Sequence, residues 1–177
     1  MGETVKMLLT EEEVNRRITE VAEEINKDYN GEPIHMICIL KGGVMFMCEL
    51  AKRIKGPVSF DFMDVSSYGH NTESSGVIKI LKDLDEDIEG RNVLLVEDII
   101  DTGKTLNKLS QLLYTRGPKS IKICTMLDKP SRRVEKEVFV DYRCFQIPNK
   151  FVVGYGLDYN QKYRNLPYIG VVEFENE

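Results

Sequence analysis

The sequence has 177 residues, 42% of them hydrophobic and 30% charged, with a formal net charge of −5; this is ordinary for one globular domain with a good core. No apolar run approaches the ~20 residues of a membrane-crossing helix, and an acidic chain without a basic block argues against nucleic-acid binding. Met1-Gly2 has no basic-then-apolar leader after it, and Lys6 stands where a myristoylation signal needs Ser or Thr, so a cytoplasmic protein is expected. Cys38, Cys48, Cys124 and Cys144 lie far apart with no C-x-x-C pair, and are expected as buried, reduced thiols rather than zinc ligands.

Thr10 to Glu13 reads as a capping box, and Val14, Ile18, Val21 and Ile25 fall on one face of the helix it opens. Asn30-Gly31 ends that helix before a strand over 34–40. Lys41-Gly42-Gly43 turns into a second helix from 44 to about 54, closed by Lys55-Gly56-Pro57. A strand over 58–65 carries Phe60 and Phe62. The polar stretch 66–76 reads as a loop or hairpin tip, and a strand returns over 77–81. Gly90 precedes an apolar strand at 93–97. Leu106, Leu109 and Leu113 mark a helix over about 104–115, stopped by Arg116-Gly117-Pro118. A strand over 121–127 follows, with shorter ones near 138–140, 151–153 and 169–173.

This alternation predicts an α/β fold: a central, mostly parallel sheet with right-handed crossovers, flanked by helices on both faces. One domain over 1–177 is expected, with a core at about 34–145 and a small hood from the N-terminal segment and about 146–177. The loops after residues 40, 96 and 127 then share the carboxyl edge of the sheet, where ligands bind.

The segment from Val93 to Leu106 carries most of the chemistry. A buried strand ending in Glu97 and Asp98 offers acceptors to a sugar diol or to metal-bound water. The turn Asp101-Thr102-Gly103-Lys104-Thr105 offers backbone N–H groups and a helix's positive end to a phosphate. Asp101 between them is a candidate proton acceptor. A triphosphate-binding loop would need Gly five residues before Gly103, where Asp98 stands. The other alternative is a plain strand-to-helix turn capped by a threonine. Three acids within five residues favour a bound cation or ligand, since like charges repel. A sugar phosphate would use all three devices.

The two carboxylates and the D-T-G-K-T loop resemble the signature of the type I phosphoribosyltransferases. Further matches are Leu40-Lys41-Gly42-Gly43, Ser67-Tyr68-Gly69, Lys129, the run from Lys150 to Tyr155, Leu157-Asp158-Tyr159-Asn160, and Arg164. Together, over about 34–172, they resemble the hypoxanthine-guanine phosphoribosyltransferase family. The resemblance implies that fold and a Mg²⁺-dependent purine salvage reaction. A 6-oxopurine and 5-phosphoribosyl pyrophosphate would give nucleotide and pyrophosphate, with no nucleic acid or membrane partner and a homodimer or homotetramer as the assembly.

By the same resemblance, Lys41, Gly42, Gly43, Glu97, Asp98, Asp101, Thr102, Gly103, Lys104, Thr105 and Arg164 bind phosphoribosyl pyrophosphate, with a cis peptide before Lys41. Glu97 and Asp98 take the ribose hydroxyls with Mg²⁺ bridging, and Asp158 anchors a second Mg²⁺ through water. Asp101 is the proton partner of the purine N7. Ile99, Lys129, Phe151, Val152 and Asp158 form the purine site: Lys129 donates to the 6-oxo group and Phe151 stacks on the base. Ser67 and Tyr68 belong to a closing flap. Read alone, Lys129, Asp158 and Arg164 are ordinary surface charges, Phe151 is an ordinary core aromatic, and Asp101 only shapes its turn. Two rivals stay open: a sibling transferase preferring xanthine, adenine or a pyrimidine, and a regulator that senses phosphoribosyl pyrophosphate. Lys129 counts against adenine, whose 6-amino group would face a second donor.

Overall fold

The computed structural model describes residues 2–67, 78–135 and 137–174. Helix α1 (Glu11–Tyr29) opens on the capping box: Glu13 N–H donates to Thr10 Oγ1 at 3.2 Å, and Thr10 N–H donates to Glu13 Oε2 at 2.8 Å. It ends at Asn30, whose left-handed φ of 47° breaks the helix.

Six strands form the main sheet: β2 (Ile34–Ile39), β3 (Val58–Ser67), β4 (Ile78–Lys82), β5 (Asn92–Ile100), β6 (Ser120–Asp128) and β7 (Tyr142–Gln146), in the order β4-β3-β2-β5-β6-β7. All neighbours pair in parallel except β3 with β4. β2 is buried throughout, as a strand covered on both faces must be. Met36, Cys38, Leu94 and Val96 pack under α1 and α2 (Val44–Ala51) on one face. Ile37, Ile39, Val93 and Leu95 pack against Leu106, Leu109 and Leu113 of α3 (Lys104–Tyr114) on the other. Each such side chain, fully buried, contributes about 1.5–3 kcal/mol, which fixes the sheet edge beneath the loops. The fold is the expected one, with helices on both faces.

The chain ends form the hood, an antiparallel sheet in the order β1-β9-β8, from β1 (Glu3–Leu9), β8 (Val152–Val153) and β9 (Ile169–Phe174). β1 went unanticipated, because what holds it is pairing with β9 at the far end of the chain, with a register shift between Met7 and Leu9.

Five expectations need correction. β5 does not end at Glu97 and Asp98: Ile99 and Ile100 still pair with Leu127 and Asp128 of β6, so both acids sit inside the strand. Residues 138–140 are not a strand. Pairing beside β6 starts at Asp141, whose N–H donates to Ile123 O at 3.0 Å and whose carboxylate accepts from Ile123 N–H at 2.8 Å, and Phe139 is left 74% exposed. α2 ends at Ala51 because Arg53 and Ile54 N–H donate three residues back, to Leu50 and Ala51 O. Cys48 is exposed, since Phe46, Met47, Leu50 and Ala51 take the buried face of α2; the other three cysteines are buried. The polar loop over 66–76 starts too early, because β3 runs on to Ser67. Tyr68 lies outside the described residues.

Candidate functional site

The carboxyl edge of the main sheet holds a cavity of about 260 Å³. Leu40 and Gly42 line it from the β2–α2 turn, Glu97, Asp98 and Ile99 from β5, and Asp101, Thr102, Gly103 and Thr105 from the turn into α3. The end of β5 and two short turns thus bring two adjacent carboxylates, a glycine loop and a helix start to one space.

The glycine loop is held by close packing. The Leu40–Lys41 peptide is cis. A methyl group on Gly42 would collide with Asp98 Oδ2, and one on Gly43 would lie 3.0 Å from Ile39 O and 3.1 Å from Cys38 Sγ. From the far side Gly156, at φ 102°, presses its α-carbon so near Gly42 O that a methyl group there would collide too. Sequence reasoning passed over Gly156; its one signal was a second glycine two residues after Gly154.

At the other wall, Gly103 (φ 79°) turns the chain into α3. No acidic residue stands in the first turn of α3, and its N-cap residue, Gly103, has no side chain to cap it; Lys104 N–H reaches Thr102 Oγ1 at a long 3.4 Å. The helix start, with its leading N–H groups and positive end, borders the cavity at Gly103 and Thr105. An anion is the complementary ligand.

The two carboxylates between these walls are electrostatically uncomfortable. Burial pushes the Glu97 carboxyl well above the usual range, and Asp98 beside it pushes further. Burial also raises Asp98, while a 2.6 Å bond from Ile99 N–H and the Arg164 charge hold it back. Such a pair favours a cation. Among the described residues no three His, Cys, Asp or Glu side chains converge on one point, so the donor set is this adjacent pair. That fits Mg²⁺, which binds through one or two carboxylates plus substrate oxygens and water.

Asp158 and Arg164 meet outside the cavity wall at 2.8 Å. Arg164 Nη1 also donates to Gly156 O at 2.8 Å, and Gln161 N–H donates to Asp158 Oδ2 at 2.8 Å. The pair therefore braces Gly156 and, through it, Gly42. Lys41 sits exposed on the glycine turn, and Lys104 opens α3.

Lys129 follows β6, only 7% exposed, with its N–H bonded to Ile100 O at 2.9 Å. That bond sets it beside the start of the Asp101 turn. Phe151 is 51% exposed rather than a core aromatic and meets Tyr159 edge-on at 5.7 Å. Val152 is buried in β8. None of these three lines the cavity. Asp101 Oδ1 accepts from Arg132 Nε at 3.0 Å; sequence reasoning did not single out Arg132, although two arginines follow Lys129-Pro130-Ser131.

The model of the phosphoribosyl transferase domain matches residues 4–160. The hypoxanthine-guanine phosphoribosyltransferase of Mycobacterium tuberculosis is 50% identical over 97% of this chain and 88% of its own. That of Streptococcus thermophilus is 49% identical over 96% and 94%. A crystal structure of a hypoxanthine phosphoribosyltransferase from Staphylococcus aureus superposes with a TM-score of 0.91 at 49% identity, covering 95% of this chain and 91% of that one.

Proposed function

The chain belongs to the hypoxanthine-guanine phosphoribosyltransferase family, and we propose that it joins hypoxanthine or guanine to 5-phosphoribosyl pyrophosphate, giving IMP or GMP and pyrophosphate. The observation that carries this reading is the one cavity in which a carboxylate pair stands between a tight glycine loop and the start of α3. A 5-phosphate, a ribose diol and a pyrophosphate need the helix start, the carboxylate pair and the glycine loop respectively.

In this reading the 5-phosphate takes the N–H groups and threonine hydroxyls from Thr102 to Thr105, with the Lys104 charge nearby. Glu97 and Asp98 orient the ribose hydroxyls. The loop Lys41-Gly42-Gly43 receives the pyrophosphate, braced by Arg164 and Asp158 through Gly156. Asp101 accepts the proton of the purine N7 as the N9 lone pair bonds to C1 and the C1–oxygen bond to pyrophosphate breaks. Positioned proton transfer of this kind contributes roughly 10²–10⁴-fold. Lys129 donates to the 6-oxo group, Ile99 and Val152 border the base, and Phe151 stacks on it. Glu97 and Asp98 would hold Mg²⁺, and Asp158 a second one through water; the metal's part would be to offset charge on the pyrophosphate leaving group. Ser67 and Tyr68 would close over the site to exclude water. A cytoplasmic location and a homodimer or homotetramer belong to the same reading, by family likeness.

The test is nucleotide formation from phosphoribosyl pyrophosphate and Mg²⁺ with hypoxanthine, guanine, xanthine, adenine or uracil offered separately. Product from hypoxanthine or guanine, lost on chelating the metal, is the expected result. Turnover of another base alone would keep the reaction class and overturn the roles of Lys129 and Phe151.

A further inference from the structure

The segment after β6 does more than deliver Lys129. Val134 and Glu135 N–H both donate to Thr102 O, at 3.0 and 3.1 Å. Glu135 Oε2 accepts from Asn107 Nδ2 of α3 at 3.2 Å. Arg133 lies over Gly103, its Cδ 3.1 Å from where a Cβ would stand, and its guanidinium is tied to the buried Asp128 carboxylate, which also accepts from Arg143 at 2.9 Å. Residues 132–135 thus form a bracket clamped onto the turn 101–103, anchored at the end of β6.

Arg132 is the member of this bracket that reaches the candidate proton acceptor. Its Nε–H donates to Asp101 Oδ1 at 3.0 Å, so one carboxylate oxygen has a donor, while among the described residues none donates to Oδ2, which is left for a ligand. Both side chains are nearly half exposed, 47% for Arg132 and 43% for Asp101. An exposed pair adds little stability, so the consequence of this one lies in orientation: a carboxylate on a turn has several rotamers, and a bond to one oxygen selects among them.

We infer that Arg132 is a positioning residue for the transfer reaction, holding Asp101 so that Oδ2 meets the purine N7 proton, while the bracket ties that geometry to the phosphate turn. The inference rests on the reading of Asp101 as proton acceptor.

Arg132→Ala, Arg132→Lys, Asp101→Asn and the double variant Arg132→Ala/Asp101→Asn test it by steady-state kinetics. The expected result is a fall in kcat of about tenfold to a hundredfold for Arg132→Ala, the scale of a misplaced catalytic group, with the KM for phosphoribosyl pyrophosphate unchanged. Arg132→Lys should recover part of the loss. In the Asp101→Asn background, removing Arg132 should cost nothing further, since residues acting as a unit are not additive. Two results overturn the inference: wild-type kcat in Arg132→Ala beside a slow Asp101→Asn, or an equal loss from Arg132→Ala in both backgrounds. Wild-type turnover in Asp101→Asn itself would instead sink the reading of Asp101, so the two failures are distinguishable.

Discussion

At the proposed phosphate end of the site the residues are neighbours in the chain: Glu97 and Asp98 within β5, then Asp101 to Thr105 at the turn into α3. At the proposed base end Lys129 follows β6 of the main sheet, while Phe151 and Val152 belong to the hood, more than twenty residues further on. One end is a local motif that backbone geometry alone delivers. The other is assembled only when two sheets dock. A lesion at the phosphate end should therefore disturb chemistry or sugar-phosphate binding, whereas one at the base end should disturb base affinity alone.

The largest expected effect is at the turn. Asp101→Asn should lower kcat by about two to four orders of magnitude while leaving the affinity for phosphoribosyl pyrophosphate, read by calorimetry, nearly intact. Unchanged turnover would remove its proton-transfer role. Next comes the brace of the glycine loop. Gly42→Ala drives a methyl group into Asp98 Oδ2; a displacement of about 1 Å there should cost roughly a hundredfold in kcat/KM for phosphoribosyl pyrophosphate. Wild-type kinetics would mean the loop has slack that this packing denies it.

The base end should respond differently. Lys129→Ala should raise the KM for hypoxanthine by about ten- to a hundredfold, as for loss of a charge-assisted hydrogen bond of roughly 1.5–3 kcal/mol, with little change for phosphoribosyl pyrophosphate. An equal change in both would erase the contrast between the ends. Phe151→Ala removes a stacking surface worth about 1–3 kcal/mol per base and should raise the KM for hypoxanthine by about five- to a hundredfold.

The smallest effect is a control at the opposite end of β2. His35 is buried there, its Nδ1 2.7 Å from Ser59 Oγ. Burial, then the Arg91 charge, holds its imidazole below the usual range, so the native state favours the neutral ring. That contribution is present above the unfolded value of about 6.5 and is lost as pH falls below it. Urea midpoints should therefore drop less on acidification for His35→Gln than for the parent, with neither KM changed. A parallel acid response in both proteins would mean that His35 does not report on folding.

How much was legible in the sequence divides along the same line. The three helices, the mostly parallel sheet and the turn into α3 follow from apolar spacing, the alternation of strands and helices, the Thr10–Glu13 capping box and a glycine at a left-handed turn, all short-range features. β1 was missed because it is held by β9 at the far end of the chain. Gly156 and Arg132 were missed because their meaning lies in what they touch, Gly42 O and Asp101, across 114 and 31 positions. The roles proposed for Lys129 and Phe151 rest on family resemblance alone, since no local pattern separates a base-reading lysine from a solvated one. Glu97 and Asp98 were read as acceptors, yet their place inside β5 needed the register with β6.

The most direct test is to measure pyrophosphate release and nucleotide formation together, with phosphoribosyl pyrophosphate and Mg²⁺ present and hypoxanthine either added or withheld. The account predicts release only when the base is present, one pyrophosphate for each IMP formed. Tight binding of phosphoribosyl pyrophosphate with no pyrophosphate released on adding any base would contradict it and make the chain a sensor.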